Sequence, residues 1–188
     1  PTPLVLGLIA ALDPTLTVYY CVDDIASSSV PARRVLRSER RLFQSADLVF
    51  VTSVKLQERA AQFSDRVYRF PSGVDSDAFE RVRRGADGIP KELQRLSGPV
   101  VGYLGGLHRW VDQELLAKVA AKLPQVDFVL VGPRQVGVSV LRRSQNVHVM
   151  GFKPREEILR YVKGFQVGII PYRLSDYTAN VYPTKLNE

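Results

Sequence analysis

Apolar and polar positions alternate along this chain in two rhythms. Residues 4–12 are almost wholly apolar and compatible with a helix, and residues 17–22 form a short run of β-branched and aromatic residues that stops on Asp23 and Asp24. Residues 47–52 and 67–70 repeat that form. Short apolar runs bounded by polar residues predict buried strands. Between them the apolar spacing becomes helical: one helix opens at Pro31 and runs to about residue 45, and a second, capped by Ser53, runs to about residue 63. Strand and helix alternate in units of about 25 residues, which implies parallel strands joined by right-handed crossovers.

From residue 75 to 98 the periodicity weakens while charges, Gly85, Gly88 and Pro90 accumulate, so the connection between two domains is predicted there. A second α/β series follows, with strands at 100–104, 127–131, 147–152 and 167–171 and helices at about 111–123 and 154–163. Pro154 opens the last of these, with Glu156 and Glu157 near the positive end of its dipole. The expected organisation is residues 1–80 as one partial domain, 81–98 as the connection and 99–188 as a second partial domain. The chain opens on Pro1 and stops at Lys185-Leu186-Asn187-Glu188, which reads as the first turn of a helix, so it is expected to be a piece of a longer protein.

Composition narrows the functional classes. The 188 residues are 45% apolar and 24% charged, the balance of a globular protein. No apolar run reaches the roughly 18 residues of a membrane span, and the charged start of a signal peptide is absent. Cys21 is the only cysteine, which excludes a disulfide framework and fits a reducing, cytoplasmic setting. His108 and His148 are the only histidines, forty residues apart, so a Ser-His-Asp triad or a histidine metal site is hard to build and no metal is expected. The net charge of +7 favours acidic partners, among them nucleoside diphosphates, an anionic membrane and nucleic acid. Nucleic acid is set aside, because no strand face interleaves aromatic and basic residues.

In open parallel sheets, ligands sit beyond the carboxyl ends of the strands. After the strand at 100–104 stands the pair Gly105-Gly106, which either lets backbone N–H groups approach a phosphate or serves close packing. After the strand at 167–171 a polar loop with Tyr177, Thr178 and Asn180 leads to a helix at Pro183. A helix N-terminus there favours a diphosphate, Lys185 adds a positive charge, and Glu188 is suited to two vicinal hydroxyls. The alternative is an ordinary capped helix with a solvated lysine and glutamate.

The helix from Pro31 has two faces. Val35, Leu36, Leu42, Phe43 and Ala46 fall on one arc and Arg33, Arg34, Arg37, Arg40 and Arg41 on the other. The arginine arc is either a solvated face or a contact with an anionic leaflet. Glu39 falls within the apolar arc, to be paired by an arginine or to serve a cleft.

Several segments resemble one family. Pro71-Ser72-Gly73-Val74-Asp75 followed by Phe79 looks like the "P-N-G-V-D…F" hinge of family 4 glycosyltransferases, with Ser for the usual Asn. Val129-Leu130-Val131-Gly132-Pro133 and Asn146-Val147-His148-Val149-Met150-Gly151 resemble two of their strands, and Pro183-Thr184-Lys185-Leu186-Asn187-Glu188 resembles their "P-x-K-L-x-E" donor segment. Val18-Tyr19-Tyr20-Cys21-Val22-Asp23-Asp24 and Ala46-Asp47-Leu48-Val49-Phe50-Val51-Thr52-Ser53 are similar to a bacterial branch that builds cell-surface polysaccharides. The resemblance runs almost end to end in the right order.

It implies an α/β fold of two Rossmann-like domains with parallel sheets, the GT-B type, both incomplete in this chain. It implies a glycosyltransferase that moves a sugar from a nucleoside diphosphate sugar to a polysaccharide or lipid-linked acceptor, with retention the usual outcome and no separate cofactor. By the same resemblance Gly105, Gly106, Arg109, Tyr182, Lys185 and Glu188 hold the donor. The family's Arg and Lys after the first donor-domain strand are missing, and Arg109 is expected to replace them. The family also has two glutamates; Glu188 matches the second, whereas Asn180 stands at the first and offers no carboxylate.

Asp23 and Asp24 are placed either to meet an acceptor hydroxyl or to cap the loop; with Asn180 they form the candidate catalytic set. Arg33, Arg37, Arg40 and Arg41 are the candidate membrane contact, at the inner face. Alternative functions are a nucleotide-sugar epimerase or phosphorylase on the same fold, and a nucleotide-sugar-binding fragment without catalysis.

Overall fold

The computed structural model describes residues 3–28, 32–85 and 88–187, with Ser28 and Asn180 described by their backbone alone. These divide into two compact units, one of Pro1–Val74 with Leu174–Asn187 and one of Asp75–Arg173.

The first unit opens with α1 (Leu6–Leu12), β1 (Val18–Cys21), α2 (Ile25–Ser28), α3 (Ala32–Ser45), β2 (Leu48–Val51), α4 (Val54–Ala61) and β3 (Val67–Arg69). Its strands form a parallel sheet in the order β1-β2-β3. Residues of β1 alternate strictly, with Tyr19 and Cys21 buried and Val18 and Tyr20 exposed, the period of a pleated strand with one covered face. Residues 17–22 were expected to form a buried strand; the strand spans Val18–Cys21 and is buried on one face only. The uncovered face carries Tyr20, Tyr68 and Phe70, the last set edge-to-face on Phe50 with ring centroids 5.0 Å apart. On the covered face Tyr19, Cys21, Val49 and Val51 pack with Leu42 and Phe43 of α3 and Leu56 and Ala60 of α4.

Val35, Glu39, Leu42 and Phe43 are the buried residues of α3, a spacing of four, three and one that keeps them on one helical stripe. Leu36, expected on that stripe, is exposed. Pro31, expected to open α3, lies outside the described residues. Ser53 caps α4 as expected, its hydroxyl accepting from Leu56 N–H at 3.2 Å.

The second unit contains α5 (Ser76–Arg84), α6 (Lys91–Gln94), β4 (Val100–Leu104), α7 (Gln113–Lys122), β5 (Asp127–Val131), β6 (Val147–Gly151), α8 (Arg155–Lys163) and β7 (Val167–Gly168). Its sheet runs in the order β6-β5-β4-β7, all parallel. The expected irregular connection at 75–98 instead contains α5 and α6. Asp75 caps α5 by accepting from Ala78 N–H at 3.0 Å, and Lys163 of α8 donates to the carbonyls of Val82 and Gly85, each at 3.0 Å. The arginines that mask the periodicity, Arg81, Arg83 and Arg84, fill the last turn, where positive charge suits the helix dipole.

Asn146 donates through Nδ2 to the carbonyls of Ala120, Leu123 and Val126 at 3.1, 3.0 and 2.8 Å, tying the end of α7 to the start of β5. β7 is shorter than the predicted 167–171 and is exposed. Pro171 has no N–H to extend the ladder.

After β7 the chain forms α9 (Asp176–Asn180), opened by a capping box between Ser175 and Thr178, then a single 3-10 turn at Thr184–Leu186. The helix expected from Pro183 is present only as that turn, which the Asn187 N–H closes onto the Thr184 carbonyl at 3.0 Å. Asn187 Nδ2 donates to the Ser72 carbonyl at 2.6 Å, fixing this segment to the first unit. Among the described residues no helix is long and apolar enough to cross a membrane.

Candidate functional site

Two loops leave the carboxyl ends of β4 and β5 in the second unit and zip together. Leu107 and Arg134 form a parallel bridge, with Leu107 N–H donating to the Pro133 carbonyl at 2.9 Å and Gln135 N–H to the Leu107 carbonyl at 3.2 Å. Gly132 has φ +147°, and a Cβ there would stand 2.1 Å from the Gly105 carbonyl oxygen. Backbone therefore touches backbone, which only glycine permits.

This zipping decides which amides remain for a ligand. Gly105 N–H donates to the Val131 carbonyl at 2.8 Å, so it completes the sheet and is not offered to a phosphate. The Gly106 carbonyl accepts from the Tyr103 hydroxyl and from His108 N–H, each at 3.0 Å. Among the described residues, the Gly106 N–H has no acceptor.

Arg109, expected to supply charge here, is exposed. The side chain that crowds the glycine is His108. A Cβ on Gly106 would lie 2.7 Å from His108 Nε2, and the imidazole stacks on Trp110 with ring centroids 4.0 Å apart. Counting histidines for metals had passed over this residue; its neighbour Trp110 was the available signal. The other histidine, His148, bonds Asp127 Oδ1 at 2.7 Å between β6 and β5, a structural role. Farther along the β5 loop, Arg134, Ser139 and Arg142 line a cavity of about 530 Å³.

In the first unit, Asp23 and Asp24 separate in role. Asp24 is buried, accepts from the Ser27 hydroxyl at 2.6 Å, and pairs with Arg59 Nη1 at 2.9 Å. Burial alone would raise its carboxyl, but the Ser27 and Arg59 hydrogen bonds outweigh it and hold Asp24 below the usual aspartate value. It caps α2, accepting from Ser27 N–H at 3.3 Å. Asp23, half-buried, is raised by burial alone.

Arg59 also answers the question of Glu39. Its Nη2 stands 3.0 Å from Glu39 Oε2, a charge contact rather than an aligned hydrogen bond. Glu39 Oε1 accepts from the Tyr19 hydroxyl at 3.1 Å and from the Cys21 thiol at 3.7 Å. Burial still dominates and raises Glu39, with Arg59 the main opposing influence. Burial, aided by the Glu39 charge, pushes the Cys21 thiol up to about 12.

The arginine arc of α3 is exposed as expected at Arg33, Arg34, Arg37, Arg40 and Arg41. Arg37 and Arg40 rim a cavity of about 470 Å³ whose wall includes Leu36, Phe43 and Phe63. The Arg40 guanidinium lies 5.1 Å from the Phe63 ring centroid.

The remaining candidates lie on the last segment. Tyr182 donates its hydroxyl to Asn187 Oδ1 at 2.9 Å, and half-buried Lys185 sits in the 3-10 turn. The Asn180 side chain and Glu188 lie outside the described residues. Tyr182 and Lys185 are grouped with the first unit, whereas Gly105, Gly106 and Arg109 belong to the second.

No family model matches the chain. It is 28% identical over 165 residues to TuaH of Bacillus subtilis (strain 168), whose name places it in teichuronic acid biosynthesis as a glycosyltransferase; the match covers 83% of this chain and 41% of TuaH. In fold it is similar to Anabaena HepE, whose crystal structure holds UDP and glucose, with TM-score 0.66, 21% identity, and coverage of 87% of this chain and 48% of HepE. Sucrose-phosphate synthase of Thermosynechococcus elongatus gives TM-score 0.63 and 21% identity over 88% of this chain and 47% of its own. The chain thus spans less than half the length of each of these proteins. Its two parallel α/β units have the fold of the GT-B glycosyltransferases, and its sequence is similar to that of a glycosyltransferase.

Proposed function

We propose that this protein is part of an enzyme that transfers a sugar from a nucleoside diphosphate sugar to a polysaccharide or lipid-linked acceptor, with retention at the anomeric carbon. The observation that carries this reading is the pair of zipped loops at the carboxyl ends of β4 and β5. A parallel sheet binds ligands at that edge, and the Gly106 N–H there is uncommitted among the described residues. The UDP held by HepE supports a uridine nucleotide as the first donor to try. The TuaH name supports a bacterial cell-surface polysaccharide as the product class.

On this reading the second unit holds the donor and Asp23 of the first faces the acceptor. The exposed arginines of α3 hold the enzyme peripherally at the inner face of an anionic membrane, where a lipid-linked acceptor resides.

The test is a thermal-shift screen of the complete protein against UDP, GDP, ADP and dTDP, followed by product analysis with the matching labelled nucleotide sugar. At least one nucleoside diphosphate should raise the melting temperature, and label should pass to an acceptor glycan. No shift with any of them would end the assignment. Label released as free sugar phosphate, or an epimerised nucleotide sugar, would favour a phosphorylase or an epimerase. Binding without turnover would leave a nucleotide-sugar-binding protein.

A further inference from the structure

We propose that the cavity between α3 and α4 of the first unit is a site for a single anionic phospholipid, its phosphate held by Arg37 and Arg40 and the adjoining methylenes laid along Leu36, Phe43 and Phe63. The proposal rests on the reading that the exposed arginines of α3 work at an anionic membrane, and it replaces a diffuse charge contact by one discrete site. Three observations, all within the first unit, carry it.

First, the arginine face of α3 is uncompensated. Arg83 and Arg84, which crowd α5 in the same way, share the carboxylate of Glu80. The one acidic residue of α3 is Glu39, and it is buried, engaged by the Tyr19 hydroxyl and by Arg59. Among the described residues, Arg37 and Arg40 therefore have no ion-pair partner. Second, an apolar side chain stands within the charged face. Arg33, Leu36, Arg37 and Arg40 follow the i, i+3, i+4, i+7 spacing of one helical face, and Leu36 is 46% exposed where the sheet would have buried it. Third, the surface beside these residues is hollow. The cavity of about 470 Å³ has Leu36, Phe43 and Phe63 in its wall and Arg37 and Arg40 at its rim, a volume in the range of small-molecule sites. Phe63 stacks on Phe43 with 5° between ring planes, and the Arg40 guanidinium lies over Phe63, so the apolar wall and the cation beside it are already in place.

The chemistry matches a phosphate joined to hydrocarbon. Planar guanidiniums hold phosphate oxygens through paired N–H groups, and methylenes next to the headgroup would take the apolar wall out of water. A bare phosphate would use the rim and leave the wall wet, and a zwitterionic lipid would bring a cation of its own to two arginines. Arg59 and Glu39, on the inner side of the cavity, are engaged with each other, so the rim arginines are the ones offered to the headgroup.

The test is calorimetric titration of the complete protein with dihexanoyl phosphatidylglycerol below its micelle concentration, against inorganic phosphate and dihexanoyl phosphatidylcholine, together with sedimentation on phosphatidylglycerol vesicles. The phosphatidylglycerol should bind saturably, one per chain, and about tenfold more tightly than either comparison ligand. Arg37→Gln combined with Arg40→Gln should weaken it about tenfold or more. Leu36→Gln, which leaves every charge in place at an exposed helix position, should weaken it about threefold. The ligand comparison needs no variant, so it decides the matter even if a variant misfolds. Phosphate binding as tightly as the lipid, full affinity in Leu36→Gln or in the double arginine variant, or vesicle binding without saturable binding of the short-chain lipid would each overturn the site while leaving the peripheral membrane contact standing. Failure to sediment with the vesicles as well would overturn both.

Discussion

Arg59 Nη1 stands 2.9 Å from Asp24 Oδ1, so a guanidinium on α4 grips the loop that follows β1. Its other terminal nitrogen lies 3.0 Å from Glu39 on α3, and both carboxylates are buried. Removing one partner from such a cluster leaves uncompensated charge in a low dielectric. Arg59→Met should therefore cost about 3 kcal/mol of unfolding free energy, read from urea denaturation. A loss below about 1 kcal/mol would mean that the carboxyls are protonated or hydrated in the native state.

The two carboxyls of this cluster should respond to pH with opposite signs. Asp24 is held below its ordinary value, so its stabilisation is present above the unfolded pKa and is lost as pH falls through the folded one. Glu39 is raised by burial, so ionising it works against the fold as pH climbs from the unfolded value through the folded one. Asp24→Asn should flatten the acid limb of the stability curve. Glu39→Gln should gain on wild type as pH rises toward neutrality. Parallel pH-stability curves for both variants and wild type would contradict this.

The Cys21 thiol, pushed up to about 12 by burial, holds almost no thiolate at neutral pH. Iodoacetamide should leave the folded protein unlabelled for hours and label it fully in denaturant, by intact mass. Rapid native labelling would show that the β1 core opens readily.

Gly132→Ala should destabilise the second unit by about 2 kcal/mol or more, because φ is +147° and the new methyl meets the Gly105 carbonyl at 2.1 Å. Gly137→Ala is the control, since nothing lies within 4 Å of its Cβ position. Equal melting temperatures for the two variants would refute the backbone contact between the loops.

Neutralising Arg37 and Arg40 to Gln should weaken sedimentation with vesicles containing phosphatidylglycerol, by about fivefold per arginine removed and more at low salt. Vesicles of phosphatidylcholine alone should bind neither protein. Unchanged binding of the double variant would reduce the arginine arc to a solvated face.

The alternation of strand and helix made both sheets legible in the sequence, because apolar runs such as 127–131 carry their burial in their composition. What escaped was set by partners far along the chain. α5 was hidden because Ala78 is its one buried residue and its lysine clasp comes from α8. The value of Glu39 depended on Arg59, which reads in sequence as one more cation on a polar helix. The Gly105-Gly106 pair was recognised for the right region, but the hydrogen bond of Gly105 to Val131 is a matter of register, and register divides the two glycines between sheet and ligand loop. His108 was weighed only for a triad or a metal site, since stacking on Trp110 and crowding of Gly106 are properties of the turn.

The first unit is assembled from two stretches of chain, Pro1–Val74 and Leu174–Asn187, with the whole second unit encoded between them. On the ribosome, where domains fold as they emerge, its sheet must wait through the synthesis of residues 75–173 before the strap that bonds Ser72 arrives. For that interval the first unit holds all three of its strands and lacks only the segment that bonds Ser72.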